Sequence, residues 1–199
     1  MNDSAFNFND ADKQRSLSII PPGIYRLRAK VKMFNGDRNY PLRPAKSGRT
    51  EGLDLELTVV GGGHRGAKLR DLITVTFDDR EYDDPDIMPL DADATERFRT
   101  AVRIGRGKLR TILESAHAIA PDDDSEPAKE KRTIKSWLDF DGIEFWAHVD
   151  TRKGTNGYQD RSEIKYVITP DLPNWPREAA RQPRQVVPLA KELDDEISF

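Results

Sequence analysis

The chain contains no cysteine. Disulfides, thiolate metal sites and cysteine nucleophiles are therefore excluded, and a reducing, cytoplasmic setting is expected. Histidine is scarce, and His64, His117 and His148 stand apart without metal-ligand spacing. No apolar run approaches the length needed to span a bilayer, and the start, MNDSAFNFNDADKQR, has no signal-peptide pattern. Also missing are a glycine-rich phosphate loop, a nucleophile elbow and a histidine-centred catalytic dyad. Apolar residues make up only 36% of the 199 residues, against 34% charged. That is low for a chain packed throughout, so part of it is expected outside the fold.

Charge is present in quantity and unevenly spread. The formal net charge is −3, yet from Gly23 to Arg70 eleven Lys and Arg face four acids, and from Asp71 to Phe98 ten acids face two arginines. A near-neutral total does not argue against a polyanionic partner, because the local field steers association.

Periodicity organises the middle of the chain. In GIYRLRAKVKM, Tyr25, Leu27, Ala29, Val31 and Met33 alternate with Arg26, Arg28, Lys30 and Lys32, the period of a half-buried strand. LDLELTVVG repeats it with Leu53, Leu55, Leu57 and Val59 inward, after a basic loop broken by Pro41 and Pro44. KLRDLITVTF supplies a third strand with Ile73, Val75 and Phe77 in the core. A helical section follows, with Asp93 as N-cap and Glu96 three residues on. Phe98, Ala101 and Val102 begin its apolar stripe, GRG at 105–107 interrupts it, and Leu109, Ile112, Leu113 and Ala116 resume it. PDDDSEPAKEKR reads as a solvated loop. Two further strands place Ile143, Phe145, Ala147 and Val149, then Ile164, Tyr166 and Ile168, inward, joined by KGTNGYQD with its Asn156-Gly157 hairpin signal. From Pro170 onward, five prolines and many charges read as an unstructured linker.

The expected fold is thus mainly β with one helical segment, and its order of elements is that of a five-stranded OB-fold-like barrel with a helix between strands three and four. Residues 1–20 read as a flexible arm, 21–172 as the domain, and 173–199 as a disordered linker and acidic tail. In an OB-fold the loops after strands one and four flank the ligand groove.

A row of four cations on one strand face, about 6–7 Å apart at ~3.3 Å of rise per residue, suits a phosphate track. A solvated edge strand defended by lysines and arginines is the competing explanation, and the basic loop after it favours the track. Stacking surfaces for bases are expected from Trp146, which is out of phase with Phe145 and Ala147, and from Tyr40 and Tyr158 in the two loops. Arg38, Arg43, Lys46, Arg49, Lys153, Arg161 and Lys165 complete the candidate single-stranded-DNA site. DDREYDDPD at 78–86 is rich enough in carboxylates to hold Mg²⁺ for nuclease chemistry, but as an irregular loop it lacks a rigid element to set their geometry. No cofactor, metal site or catalytic residue is therefore expected.

KELDDEISF at the end carries four acids in the last eight residues before Ile197, Ser198 and Phe199. Asp194–Phe199 resembles the C-terminal tip of bacterial single-stranded-DNA-binding proteins, typically Asp-Asp-Asp-Ile-Pro-Phe, with Glu196 in place of an Asp and Ser198 in place of the Pro. In that family the aromatic enters an apolar pocket on replication and repair proteins while basic residues hold the acids. The resemblance implies partner binding by Asp194, Asp195, Glu196, Ile197 and Phe199. GRGKLRTILESA and the stretch WLDFDGIEFWAHVDTRKGTNGYQDRSEIKYVITPD resemble small phage and prophage proteins encoded beside recombination and replication genes. Together these likenesses imply a phage-type protein acting in DNA replication or recombination in the host cytoplasm, which protects single strands and recruits host proteins through its tail. A protein-interaction adaptor whose acidic tail recruits host factors is the alternative, and a metal-dependent nuclease a further one. Homo-oligomer formation stays open.

Overall fold

The computed structural model describes residues 19–34, 40–80, 89–155 and 159–176. The expected N-terminal arm apart from Ile19 and Ile20, the Asn156-Gly157 turn and the tail lie outside the described residues. Six strands form one antiparallel sheet: β1 (Gly23–Val31), β2 (Leu42–Pro44), β3 (Thr50–Val59), β4 (Lys68–Phe77), β5 (Glu144–Arg152) and β6 (Arg161–Val167). The order is β2-β3-β1-β5-β6, with β4 on the other edge of β3. Between β4 and β5 run the helices α1 (Ala92–His117) and α2 (Glu126–Arg132). β4 and β6 approach each other but share no ladder, so the sheet is not closed into a barrel.

The strand phases follow the alternation. Leu27, Ala29 and Val31 on β1, Leu53, Leu55, Leu57 and Val59 on β3, Ile73 and Val75 on β4, and Phe145, Ala147 and Val149 on β5 form one buried core. Phe77 lies at its margin against Phe98, with ring centroids 5.4 Å apart. Near β6 the expected burial holds at Ile164 and Ile168 and fails at Tyr166 between them. Val149 pairs with Ile164 while His148 pairs with Tyr166, which leaves Lys165 as an extra residue. Such a bulge reverses the facing of the strand residues that follow it. Val167 turns inward and Tyr166, expected in the core, stands 41% exposed on the outer face.

The helical section also departs from expectation. Its N-cap is Asp91 rather than Asp93, the Asp91 carboxylate accepting from the Ala94 N–H at 2.6 Å. α1 runs as one helix through GRG, the point where only its apolar stripe was expected to be interrupted. Gly105 is there for proximity: a Cβ on it would lie 1.9 Å from the Thr74 carbonyl oxygen, so only glycine lets the helix lie this close to β4. Arg106 Nε donates to the Val75 carbonyl at 3.0 Å, and Lys108 pairs with Asp71 at 2.6 Å, fastening the same crossing. Near the far end, Ser115 Oγ accepts from the Trp146 N–H at 3.0 Å. The helix thus ties β4 to β5 from one side.

Gly105→Ala should therefore destabilise, although alanine is the better helix former. Propensity returns about 1 kcal/mol, whereas pushing a helix off a strand backbone costs about 3 kcal/mol or more. A net loss of about 2 kcal/mol is expected from the urea midpoint. Gly107→Ala is the control: a Cβ there meets nothing within 4 Å, and the same measurement should show a gain of up to about 1 kcal/mol. A gain at both positions would show that the close crossing is not needed.

PDDDSEPAKEKR, expected as a solvated loop, holds α2 and ends on the well-covered Arg132. The basic loop likewise contains β2, which pairs with β3 and ends on Pro44, a tolerated edge position for proline. At the margins, Ile20 is buried and its N–H donates to Ser162 Oγ at 2.8 Å. After β6 the chain stays ordered in turns, with the Leu172 N–H bonded to the Thr169 carbonyl and the Trp175 N–H to that of Leu172, both at 3.0 Å. The packed body therefore takes in Ile20 and extends past Pro170.

Candidate nucleic-acid interface

The sheet has one face in the core and one turned outward. On the outward face the register sets Arg28 opposite Thr58 and Lys30 opposite Glu56, with Arg28 and Arg26 opposite Glu144 and Trp146 on β5. On β4, Lys68 lies opposite Thr58 and Arg70 opposite Glu56. Lys68 and Arg70 are absent from the sequence-based candidates. The same period-two rule reaches them, because they share the phase opposite to the buried Leu69 and Ile73.

Two of the four cations of the row that starts on β1 and ends at Lys32, just past it, are internally paired, against the expectation of an unpaired track. Glu144 receives Arg26 Nη2 at 2.6 Å and Arg28 Nε at 2.7 Å. Asp54 is shared in the same way: Arg70 binds both of its oxygens, Nε at 2.6 Å, and Arg43 Nη1 approaches to 3.7 Å. Glu56 takes Lys68 Nζ at 2.8 Å. That bond, with lesser contributions from Lys32 and Lys30, holds the Glu56 carboxyl below its usual range. Lys30 and Lys32 make no ion pair among the described residues.

The layering matters more than the pairing. The Glu144 and Asp54 side chains are 6% and 4% exposed, while Arg28 and Arg70 above them are each 58% exposed. Seven cations (Arg26, Arg28, Lys30, Lys32, Arg43, Lys68 and Arg70) thus overlie three carboxylates, a local surplus of four positive charges. An approaching anion meets guanidinium and ammonium groups first.

Beside this patch is an aromatic shelf. His148 and Tyr166 stack with centroids 5.1 Å apart and planes at 14°, and the exposed Ile24 lies opposite His148. Trp146, half-buried on the same face, lies opposite Arg26 and next to His148 in the outward row of β5. Tyr166 was missed because its phase depends on the Lys165 bulge.

The remaining candidates scatter. Gly23 pairs with Val149, so the loop after β5 lies at the start of β1 and the loop after β1 at its opposite end. Around the former, three of the cations are each matched to an acid: Lys153 with Asp160 at 2.7 Å, Lys165 with Asp150 at 3.1 Å, Arg152 with Glu163 at 3.6 Å. Lys153 draws the Asp160 carboxyl below its usual range, and the Gly154 N–H adds to this. The Thr151 N–H, then Lys165, does the same for Asp150. Arg161 and Lys46 are exposed. Arg49 is buried and its Nη1 donates to the Arg80 carbonyl, a structural role in place of the expected ligand contact. Tyr40 donates to Glu51, which raises its phenol pKa. Arg38, Tyr158, Asp194, Asp195, Glu196, Ile197 and Phe199 lie outside the described residues, as do positions 81–86 of the acidic stretch. Asp79 of that stretch pairs with Arg99 at 3.3 Å. Among the described residues, no group of three His, Asp or Glu side chains is placed to hold a metal ion, and no helix is long and apolar enough to cross a membrane.

No protein-family model and no curated protein sequence matches the chain.

Proposed function

We propose that this chain binds single-stranded DNA, without sequence preference, across the outward face of β1, β3 and β4. The observation that carries this reading is the layer of exposed cations over shared, covered carboxylates. Such a layer attracts phosphates at any sequence, since backbone contacts carry no base information. The shelf of His148 and Tyr166 favours single strands over duplex, because only unpaired bases offer flat faces for stacking.

The strand order supports an OB-like reading of the architecture: β1 between β3 and β5, β4 outside β3, β6 outside β5, and a helix between β4 and β5. The likeness of Asp194–Phe199 to the tips of bacterial single-stranded-DNA-binding proteins extends the proposal to recruitment of replication and repair proteins. The body's likeness to phage and prophage proteins extends it to replication or recombination of a mobile element.

Fluorescence titration with oligo-dT, a duplex and a single-stranded RNA tests this. Oligo-dT should bind with log K falling against log[salt] at a slope of roughly −2 to −3, from three or four phosphates at ~0.7 each. Duplex of equal length should bind more weakly. No oligo-dT binding at ~50 mM salt, where the electrostatic contribution is large, would overturn the proposal.

A further inference from the structure

Glu144 and Asp54 look misplaced on a surface meant for anions. Each subtracts a positive charge from the face, and each could have been neutral without opening a cavity. Their geometry gives a reason for them. Glu144 extends from β5 beneath two arginines that are neighbours in phase on β1, and offers Oε2 to Arg26 and Oε1 to Arg28. Asp54, on β3, draws Arg70 in from β4 and Arg43 in from β2. In both cases one covered carboxylate gathers two cations from different positions and spends only part of each guanidinium. Arg28 uses Nε and Nη2 on Glu144, so its Nη1 donors and one on Nη2 remain free to point outward.

We infer that Glu144 and Asp54 are positioning residues, each holding a pair of arginines as a preformed clamp for one phosphate of the bound strand. The inference rests on the proposed single-strand binding and names its two anchoring points. With Lys30 midway, the clamps stand roughly 16 Å apart, two strand spacings of ~4.8 Å across and four residues of ~3.3 Å along. Free arginines have many rotamers, and binding has to freeze them. A clamp fixed beforehand removes that cost from the binding step, the general benefit of preorganisation. Fixed guanidinium forks also match phosphate oxygens in a way that flexible ammonium groups do not.

The test exploits two effects of opposite sign. Glu144→Gln keeps the side-chain volume and one acceptor, and adds a net positive charge to the face. If the acid merely dilutes the field, the variant binds oligo-dT more tightly at every salt concentration. If it positions the arginines, the loss shows where screening has removed the charge benefit. At ~0.3 M salt, where the Debye length is only several Å, the variant should bind roughly ten-fold more weakly than wild type, with a steeper salt dependence. Asp54→Asn should behave alike. In an Arg26→Gln/Arg28→Gln background, Glu144→Gln should bring no further loss, because it acts only through those arginines. Equal or tighter binding by both single variants at high salt would overturn the inference while leaving single-strand binding intact. A wild-type protein that ignores oligo-dT would instead remove the function itself.

Discussion

Glu114→Ala should cost the protein about 3–5 kcal/mol of stability, although the residue looks from the sequence like one more acid on a charged helix. Its side chain is covered, and Oε1 receives Arg110 Nε and Arg132 Nε, each at 2.8 Å. Arg132 is itself 10% exposed. It also donates to the carbonyls of Asp123 at 2.6 Å and Ala120 at 2.8 Å, and so ties the turn after α1 and the end of α2 to one carboxylate. Truncating Glu114 leaves a nearly buried guanidinium without its counter-charge, and that orphaned cation dominates the cost. Arg110, more than half exposed, contributes little, because solvent screens it. Pairing Glu114→Leu with Arg132→Met removes both charges, and should lose less than the sum of the two single variants. The carbonyls of Asp123 and Ala120 then lack a donor, so recovery is partial. Urea midpoints at constant slope read all four variants. A loss below about 1 kcal/mol for Glu114→Ala would mean that the pair is solvated and that α2 is held by other contacts.

That latch shows where sequence reading runs out. Leu53, Leu55, Leu57 and Val59 announce their facing because a strand with one buried face must alternate, and a one-residue slip would expose the whole set. β1 and β5 obey the same rule. Tyr166 does not, because the bulge at Lys165 is set by the pairing with β5 and leaves no mark in SEIKYVIT. Gly105 and Gly107 look identical in sequence, two breaks in a helical pattern. One of them meets the backbone of β4 and the other meets nothing. Only the neighbour distinguishes a glycine required for contact from one that merely costs helix propensity. Glu114 follows the same logic: its burial depends on Arg132, eighteen positions away, in a stretch whose composition reads as loop.

For the site, the row on β1 was visible because it needs only the period of one strand. Its partners were not. Glu144 becomes the shared counter-ion of Arg26 and Arg28 through the β1–β5 register, and no single-strand pattern encodes register between distant segments. Lys68 and Arg70 were within reach of the alternation rule. Arg49 shows the opposite error: a cation in a basic loop that folds inward. Composition gave the loop its sign but could not say which charges are already neutralised. The β5–β6 hairpin is the clearest instance, with Lys153, Lys165 and Arg152 each matched to an acid.

This contrast leads to the prediction that bears most directly on function. Replacing Arg28, Lys30 and Lys32 together by Gln should weaken oligo-dT binding roughly 100-fold at ~0.1 M salt, since three phosphate contacts at ~0.7 each amount to about two decades between that concentration and 1 M. The slope of log K against log[salt] should flatten by about 2 in the same titration. The fold should survive, because Arg26 still serves Glu144 at 2.6 Å and the two lysines have no ion pair among the described residues to lose. The control is a second triple variant, Arg152→Gln, Lys153→Gln and Lys165→Gln, on the β5–β6 hairpin. It removes the same formal charge from cations that are each paired with an acid. If DNA responds to the net charge of the molecule, the two triple variants weaken equally. If it tracks along the outward face of β1, β3 and β4, the hairpin variant keeps most of its affinity and nearly its full slope, while the β1 variant loses both. Equal losses would leave the surplus on that face without a function. A loss confined to the hairpin variant would move the site to the β5–β6 end of the sheet, where Lys153, Arg161 and Lys165 stand.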